Sequence, residues 1–298
     1  MALTINTNLS SLIAQRNLAE ATTSLNRAIE RMSTGYKINH ASDNAAGYSI
    51  ARNWQTQLSS LDVAADNAAT GADMMTTLED HYNLVSSHLQ RIRDLTEQAS
   101  NGTYGQDSLA SIKSEITARL EEIDRITANC EFGGRKMMDG TMGAVKLQVG
   151  LYSGSDSQIE ISSNLFLACD SATLFDSYSG VSDTDTLAKI AIACTGIKAD
   201  GTKDATVDTT LMLNGIDNVL KEISSRTTAI GAAQNRIESA IESISVQSEN
   251  ITSSLSTLRD ADVAEESSRY IQAQILQQAA STLLSTANQT PSIALNLL

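Results

Sequence analysis

Counting in alternating steps of four and three from Ile216, the chain places Leu220, Ile223, Thr227, Ile230, Gln234 and Ile237 on one stripe. The same count continues through Ile241, Ile244, Ser248, Ile251, Leu255 and Leu258, and ten of these thirteen positions are aliphatic. That is a sustained heptad seam, and it predicts a helix about 60 Å long. A helix of that length cannot fold back on itself, so its apolar stripe needs partner helices.

Partners are visible upstream. Leu58, Leu61, Ala65, Ala68, Ala72 and Met75 follow the same spacing, and a phase shift near Glu79 leads into Tyr82, Val85, Leu89, Ile92 and Leu95. The glycines of "ASNGTYGQDS" end that helix and offer Asp107 or Ser108 as the next N-cap. A shorter helix then carries Leu109, Ile112, Ile116, Leu120 and Ile123, which completes a bundle joining early and late parts of the chain. Between them the period drops to two. Val145, Leu147 and Val149, then Ile159 and Ile161, flank a Gly/Ser/Asp turn and read as a β-hairpin. From about Cys169 to Thr210 the chain is Ser/Thr/Asp-rich and reads as a short exposed insertion, with one short helix at "DTLAKIAIACTG".

The two ends mirror each other. Ile5, Leu9 and Leu12 begin a stripe, and Leu18, Leu25 and Met32 stand seven apart. At the other end Ala273, Leu276, Ala280, Leu283, Ala287, Thr290, Ala294 and Leu297 keep a three-four count. Alternating alanine and leucine gives a thin seam that lets helices approach closely but buries little surface, worth roughly 25 cal/mol per Å². A two-helix pair of this kind is marginal in a lone chain.

Composition narrows the chemistry. Hydrophobic content is 41% but aromatics reach only 4%, which suits long helices with narrow seams better than a thick core. A net charge of −14 disfavours nucleic acid and anionic membrane surfaces as partners. No stretch is apolar enough to span a bilayer, and "MALTINTNLSSLIAQRN" lacks the features of a Sec-type signal, so the chain reads as cytoplasmic unless it leaves by another route. Cys130, Cys169 and Cys194 cannot all pair, so a disulfide framework is not expected, although one bridge stays open. His81 and His88 share a helix face but stand about 10 Å apart, too far for one zinc without a further ligand. No HExxH, CxxC, Walker lysine or GxSxG is present, and "GGRKMMDGTMG" follows a helix instead of a strand. Neither an enzyme nor a cofactor is expected. The charged run Arg91, Arg93, Asp94 and Glu97 reads as a solvated face.

Several long blocks carry a family likeness. The chain resembles bacterial flagellin through "INTNLSSLIAQRNL", "RMSTGYKINHASDNAAGYSIA" and "LQRIRDLTEQASNGT" near its start. The likeness continues through "GAAQNRIESAIESI", "ENITSSLSTLRDADVAEESSRY" and "ILQQAASTLLSTANQ" near its end. The resemblance implies a mainly α fold, an antiparallel helical bundle and coiled coil with a small β-hairpin region and paired termini. By resemblance, 1–42 with 258–298 form a terminal coiled-coil inner domain, 43–176 with 205–257 a helical-bundle domain, and 177–204 a short variable surface insertion. It implies a structural subunit that self-assembles into an extracellular flagellar filament for motility. Export unfolded through the flagellar type III apparatus is implied too, with an export chaperone on 260–298. Filament cap and hook-associated proteins are further implied partners, and so is the animal flagellin-sensing toll-like receptor. The receptor residues match Arg91, Leu95 and Glu115, expected on the outer face of the bundle. The polymerisation seam is expected along Ile5, Leu9, Leu12, Leu18, Leu25, Leu276, Leu283 and Leu297. Competing readings are the related hook–filament junction protein and, from another class, a signalling helical hairpin; a protease is the most distant, because the zinc motif such flagellins carry is missing.

Overall fold

The computed structural model describes residues 8–175, 186–197 and 209–295. Ile5, Leu297 and the stretches 176–185 and 198–208 of the Ser/Thr/Asp-rich insertion lie outside them. The chain divides into two compact units, Met1–Ser59 with Gln247–Leu298, and Ser60–Val246.

The terminal unit contains α1 (Leu9–Thr34), the first turns of α2 (Ala45–Ser100), the last turns of α6 (Thr209–Arg259) and α7 (Val263–Leu295). Local chemistry fixes each end. The Asn8 side chain accepts from the Ser11 N–H to cap α1, and Gly35 closes it in the left-handed region at φ 75°, donating to the Arg31 carbonyl. Asn44 accepts from the Gly47 N–H at the start of α2. Asp262 does the same for Ala264 at the start of α7. Between the helices the two connecting segments are tied together. Lys37 N–H donates to the Arg259 carbonyl (2.7 Å) and Ala261 N–H to the Gly35 carbonyl (2.8 Å). The Arg259 guanidinium lies 4.0 Å from the centre of the Tyr36 ring.

The second unit holds the remainder of α2 and α6 with α3 (Gln106–Asn129), α4 (Ser171–Phe175) and α5 (Thr186–Thr195). Strands β1 (Glu131–Phe132) and β2 (Arg135–Lys136) pair antiparallel, as do β3 (Val145–Gln148) and β4 (Gln158–Ile161), in the register Leu147 opposite Ile159. The first of these hairpins is absent from the sequence reading. Its loop is Gly133–Gly134, both at positive φ, the backbone a tight two-residue turn requires. It folds Met137 and Met138 under the core, where they are buried.

One hydrophobic cluster runs through this unit. It takes Leu78, Tyr82, Val85, Leu89 and Ile92 from α2, Ile116, Leu120 and Ile123 from α3, and Ile216, Ile223, Ile230 and Ile237 from α6. Leu147 from the β3 hairpin lies directly over α2 at Gly71, where a Cβ would come within 2.3 Å of the Leu147 Cδ1. No phase shift occurs near Glu79: the buried stripe continues as Leu61, Ala64, Ala68, Gly71, Met75, Leu78 and Tyr82, because the small residues Ala64 and Gly71 fill seam positions. Nor does α3 wait for Asp107 or Ser108; its N-cap is Gly105.

Within 177–204, expected at the surface, α5 is part of the core. Ile190, Ala191, Ile192, Cys194 and Ile197 are all buried. An apolar helix buries whichever faces its neighbours leave open, and this one packs on α3 and α4.

A buried cation also sits in the seam. Arg226, 9% exposed, occupies the stripe between Ile223 and Ile230. Its guanidinium donates to the Cys169 sulfur (2.8 Å) and approaches the Tyr82 hydroxyl (3.5 Å), while Glu222 on the same helix takes its outer edge. The Tyr82 hydroxyl in turn donates to the Leu165 carbonyl (2.9 Å). The aliphatic stem packs in the stripe and the charge is held by three polar neighbours, which is how a buried arginine is tolerated.

All three cysteines are free and buried. Burial pushes the Cys194 thiol up to about 12 from an ordinary value of 9.0. The folded chain therefore keeps a proton that the unfolded chain releases, so this group's contribution is intact below pH 9 and is lost as pH rises toward 12. In urea unfolding across that alkaline range, Cys194→Ala should lose stability with pH less steeply than the parent, by up to ~1.4 kcal/mol per pH unit. Identical slopes would contradict this.

Candidate assembly surface

The α1–α7 pair buries one face within the chain and exposes large apolar side chains on the other. Its inner seam is made of small residues. Ser11, Ala14, Ala21 and Ala28 of α1 are buried, as are Ala273 and Ala280 of α7, with Leu18, Leu25, Gln277, Leu284 and Ala287 half-buried beside them. Polar side chains stitch its far end. Asn8 Nδ2 donates to the Ala287 carbonyl (2.7 Å), and Ser11 Oγ to Asn288 Oδ1 (2.7 Å). Near its middle, Gln277 Nε2 donates to Thr22 Oγ1 (3.3 Å).

The Ala/Leu alternation is therefore split between two faces. Leu276 and Leu283, expected in the seam, are 53% and 62% exposed, and Leu9 and Leu12 also face outward. The inward stripe of α7 is Glu266, Tyr270, Ala273, Gln277, Ala280, Leu284 and Ala287. Alanines set the closest approach of the two axes, so the positions four residues beyond each alanine turn inward, and the leucines three beyond turn out. Ile13, Ile29, Met32, Val263, Ile271 and Ile275 add to the exposed apolar surface. Apolar exposure of this kind is what an association surface presents.

At one end of the seam lies a buried carboxylate. Glu266 is 3% exposed and holds Arg31 Nη1 at 3.2 Å and Arg269 Nη1 at 2.8 Å through the same oxygen. Two arginines converging on one buried acid replace apolar packing and fix the register of α7 against α1. A cavity of about 350 Å³ opens beside it, lined by Ser24, Arg27, Arg31, Arg269 and Leu276.

A second patch lies on the other unit. Arg91 Nε donates to Glu115 Oε1 (3.0 Å), and Arg119 reaches the same oxygen (3.5 Å), all at the surface. The Arg91 hydrogen bond, with its guanidinium charge, holds the Glu115 carboxyl below the usual range. His88 lies 3.4 Å from Arg119, and desolvation, reinforced by that charge, lowers its pKa. Leu95 does not join this patch. It is 2% exposed, because it follows Leu89 and Ile92 on the inward stripe of α2.

Two family models match the chain: the bacterial flagellin N-terminal helical region over residues 5–142 and the bacterial flagellin C-terminal helical region over 213–298. Polar flagellin F of Vibrio parahaemolyticus is 31% identical over the whole of both chains. The flagellin of Halalkalibacterium halodurans is 32% identical over 99% of each. Among solved structures, one assigned as a flagellar hook-associated protein from Vibrio parahaemolyticus covers 73% of this chain and 100% of its own, with a TM-score of 0.57 and 14% identity, a likeness of fold. A Bacillus cereus flagellin covers 64% of this chain and 94% of its own, at a TM-score of 0.45 and 20% identity.

The ion-paired seam makes a direct expectation. Glu266→Ala leaves two guanidiniums facing each other and should cost the α1–α7 pair about 2 kcal/mol. Since the pair is marginal, far-UV circular dichroism of the dilute chain should lose helical signal while the unfolding of 60–246 stays unchanged. Retention of the full signal would show that the triad does not hold the pair.

Proposed function

The chain belongs to the bacterial flagellin family and is a structural subunit of the flagellar filament, and from that premise we propose how its two ends drive assembly. The terminal helices bury their alanines against each other, with Leu18, Leu25 and Leu284 beside them, and keep Leu9, Leu12, Leu276 and Leu283 for neighbouring copies. What supports the reading is the outward position of Leu276 and Leu283 on a helix whose inner face is built mainly on Ala273, Gln277, Ala280, Leu284 and Ala287. Enclosure by further subunits then buries the leucines, at about 2 kcal/mol each, and offsets the entropy of ordering the pair.

Assembly of this kind needs no catalytic step. Residues 1–42 with 258–298 act as the inner, channel-lining domain, 43–176 with 205–257 as the helical-bundle domain, and 177–204 as the variable part. Before assembly the subunit leaves the cell unfolded through the type III apparatus, with a chaperone on 260–298 covering the leucine face. It then adds at the tip, beneath the cap and beyond the hook-associated proteins. For the flagellin-sensing toll-like receptor, the exposed Arg91–Glu115 pair is the supporting feature. The enclosed Leu95 holds up the α2 surface that carries Arg91 and makes no exposed contact of its own.

Extension of short filament fragments by purified subunits, followed by electron microscopy, tests the reading. The doubly substituted Leu276→Ser, Leu283→Ser chain should match the parent in monomer helicity yet need a subunit concentration higher by ~100-fold or more to grow. Growth at the parent's concentration would place those leucines outside the subunit contacts.

A further inference from the structure

The groove beside Glu266 on the α1–α7 pair is lined by arginines. Of its cations, Arg269 is engaged with Glu265 and Glu266, and Arg31 gives one nitrogen to Glu266. The Arg31 Nε is buried with no hydrogen-bond acceptor. At the rim, Arg27 is exposed, and among the described residues nothing accepts from its guanidinium. The groove is thus left with unspent positive charge, in a chain whose net charge is −14.

Carboxylates on the same helix pair are few. Glu30 is held by His40, and Glu265 and Glu266 by arginines. Beyond Arg269 the sequence has no charged residue through Leu298. That leaves Glu20, exposed on α1 and unpaired among the described residues, even though Arg16 stands one helical turn before it. Glu20 cannot reach its own groove side by side, since Arg27 lies seven residues on, about 10 Å along the axis.

We infer that the groove of one copy receives the Glu20 carboxylate of a second copy, an inference that rests on the filament reading above. An exposed cation and an exposed anion, each unpaired on the same pair of helices, satisfy each other once copies pack through those helices. The bond is charge-assisted, and Arg27 supplies donors in a fork suited to a carboxylate. The surrounding apolar surface, Leu276 included, excludes water from it on assembly and raises its worth. Because the contact is between copies, it also sets the stagger of one subunit against the next, a discrimination that leucine contacts alone supply poorly.

The test compares residual soluble subunit at steady state after growth from fragments, for the parent, Glu20→Arg, Arg27→Glu and the double exchange. Far-UV circular dichroism confirms equal monomer helicity. Each single variant should raise the residual concentration by about tenfold or more, and the double exchange should return it to within about threefold of the parent. Singles that match the parent would overturn the inference, as would a double exchange no better than the worse single. If the groove instead holds a free anion, Arg27→Glu alone would be impaired, Glu20→Arg would grow normally, and the inference would likewise fail. Failure of the parent itself to grow would count against the filament reading, a separate outcome.

Discussion

A helix pair joined through alanines is the constraint on which the rest depends. Ala14, Ala21 and Ala28 on α1, with Ala273 and Ala280 on α7, let the two backbones come close, but each contributes little burial. One alanine methyl is worth on the order of 0.8 kcal/mol, less than half of a leucine. The larger side chains that would normally close such a seam, Leu276 and Leu283 among them, point away from it. The terminal pair is consequently narrow, marginal and apolar on its outside, which is the combination a subunit needs if its ends are to become ordered by neighbours.

The other unit is built on the opposite principle. Its stripe carries Leu78, Tyr82, Val85, Leu89 and Ile92 from α2 against isoleucines from α3 and α6, all fully enclosed. It also encloses α5 and the three cysteines, and it tolerates Arg226 by surrounding its guanidinium with Cys169, Tyr82 and Glu222. Such a core supplies its own stability. The contrast explains how one chain can hold a folded portion and an assembly-dependent portion.

Much of this was legible in the pattern of residues. The long helices, the β3–β4 hairpin and the inward residues of α3 follow from period alone, since few prolines or aromatics interfere. What period could not decide was the side of each heptad on which the second stripe lies. In α6 the buried partners of Ile216, Ile223 and Ile230 are Val219, Arg226 and Ala233, not Leu220, Thr227 and Gln234. In α2 they are Ala64 and Gly71, not Ala65 and Ala72. In α7 Gln277 turns inward in place of Leu276. Each time the count ran one position away from the inward residue, because the side that turns inward is set by the packing of neighbouring helices and not by the hydrophobicity of single residues. Gly133–Gly134 was a readable hairpin signal that its two-residue strands made easy to miss. The Glu266 triad was not readable at all, since its partners Arg31 and Arg269 come together only once α7 returns along α1.

If alanine burial leaves the terminal pair marginal, the difference between the units should be large in a single chain and vanish on assembly. Amide hydrogen exchange, followed residue by residue in dilute subunits and in filaments, measures it directly. The expected result is fast exchange along α1 and α7 in the dilute chain, slow exchange in the parts of α2, α3 and α6 within 60–246, and slow exchange everywhere in filaments. Equal protection of α1, α7 and the 60–246 core in dilute solution would contradict the central claim.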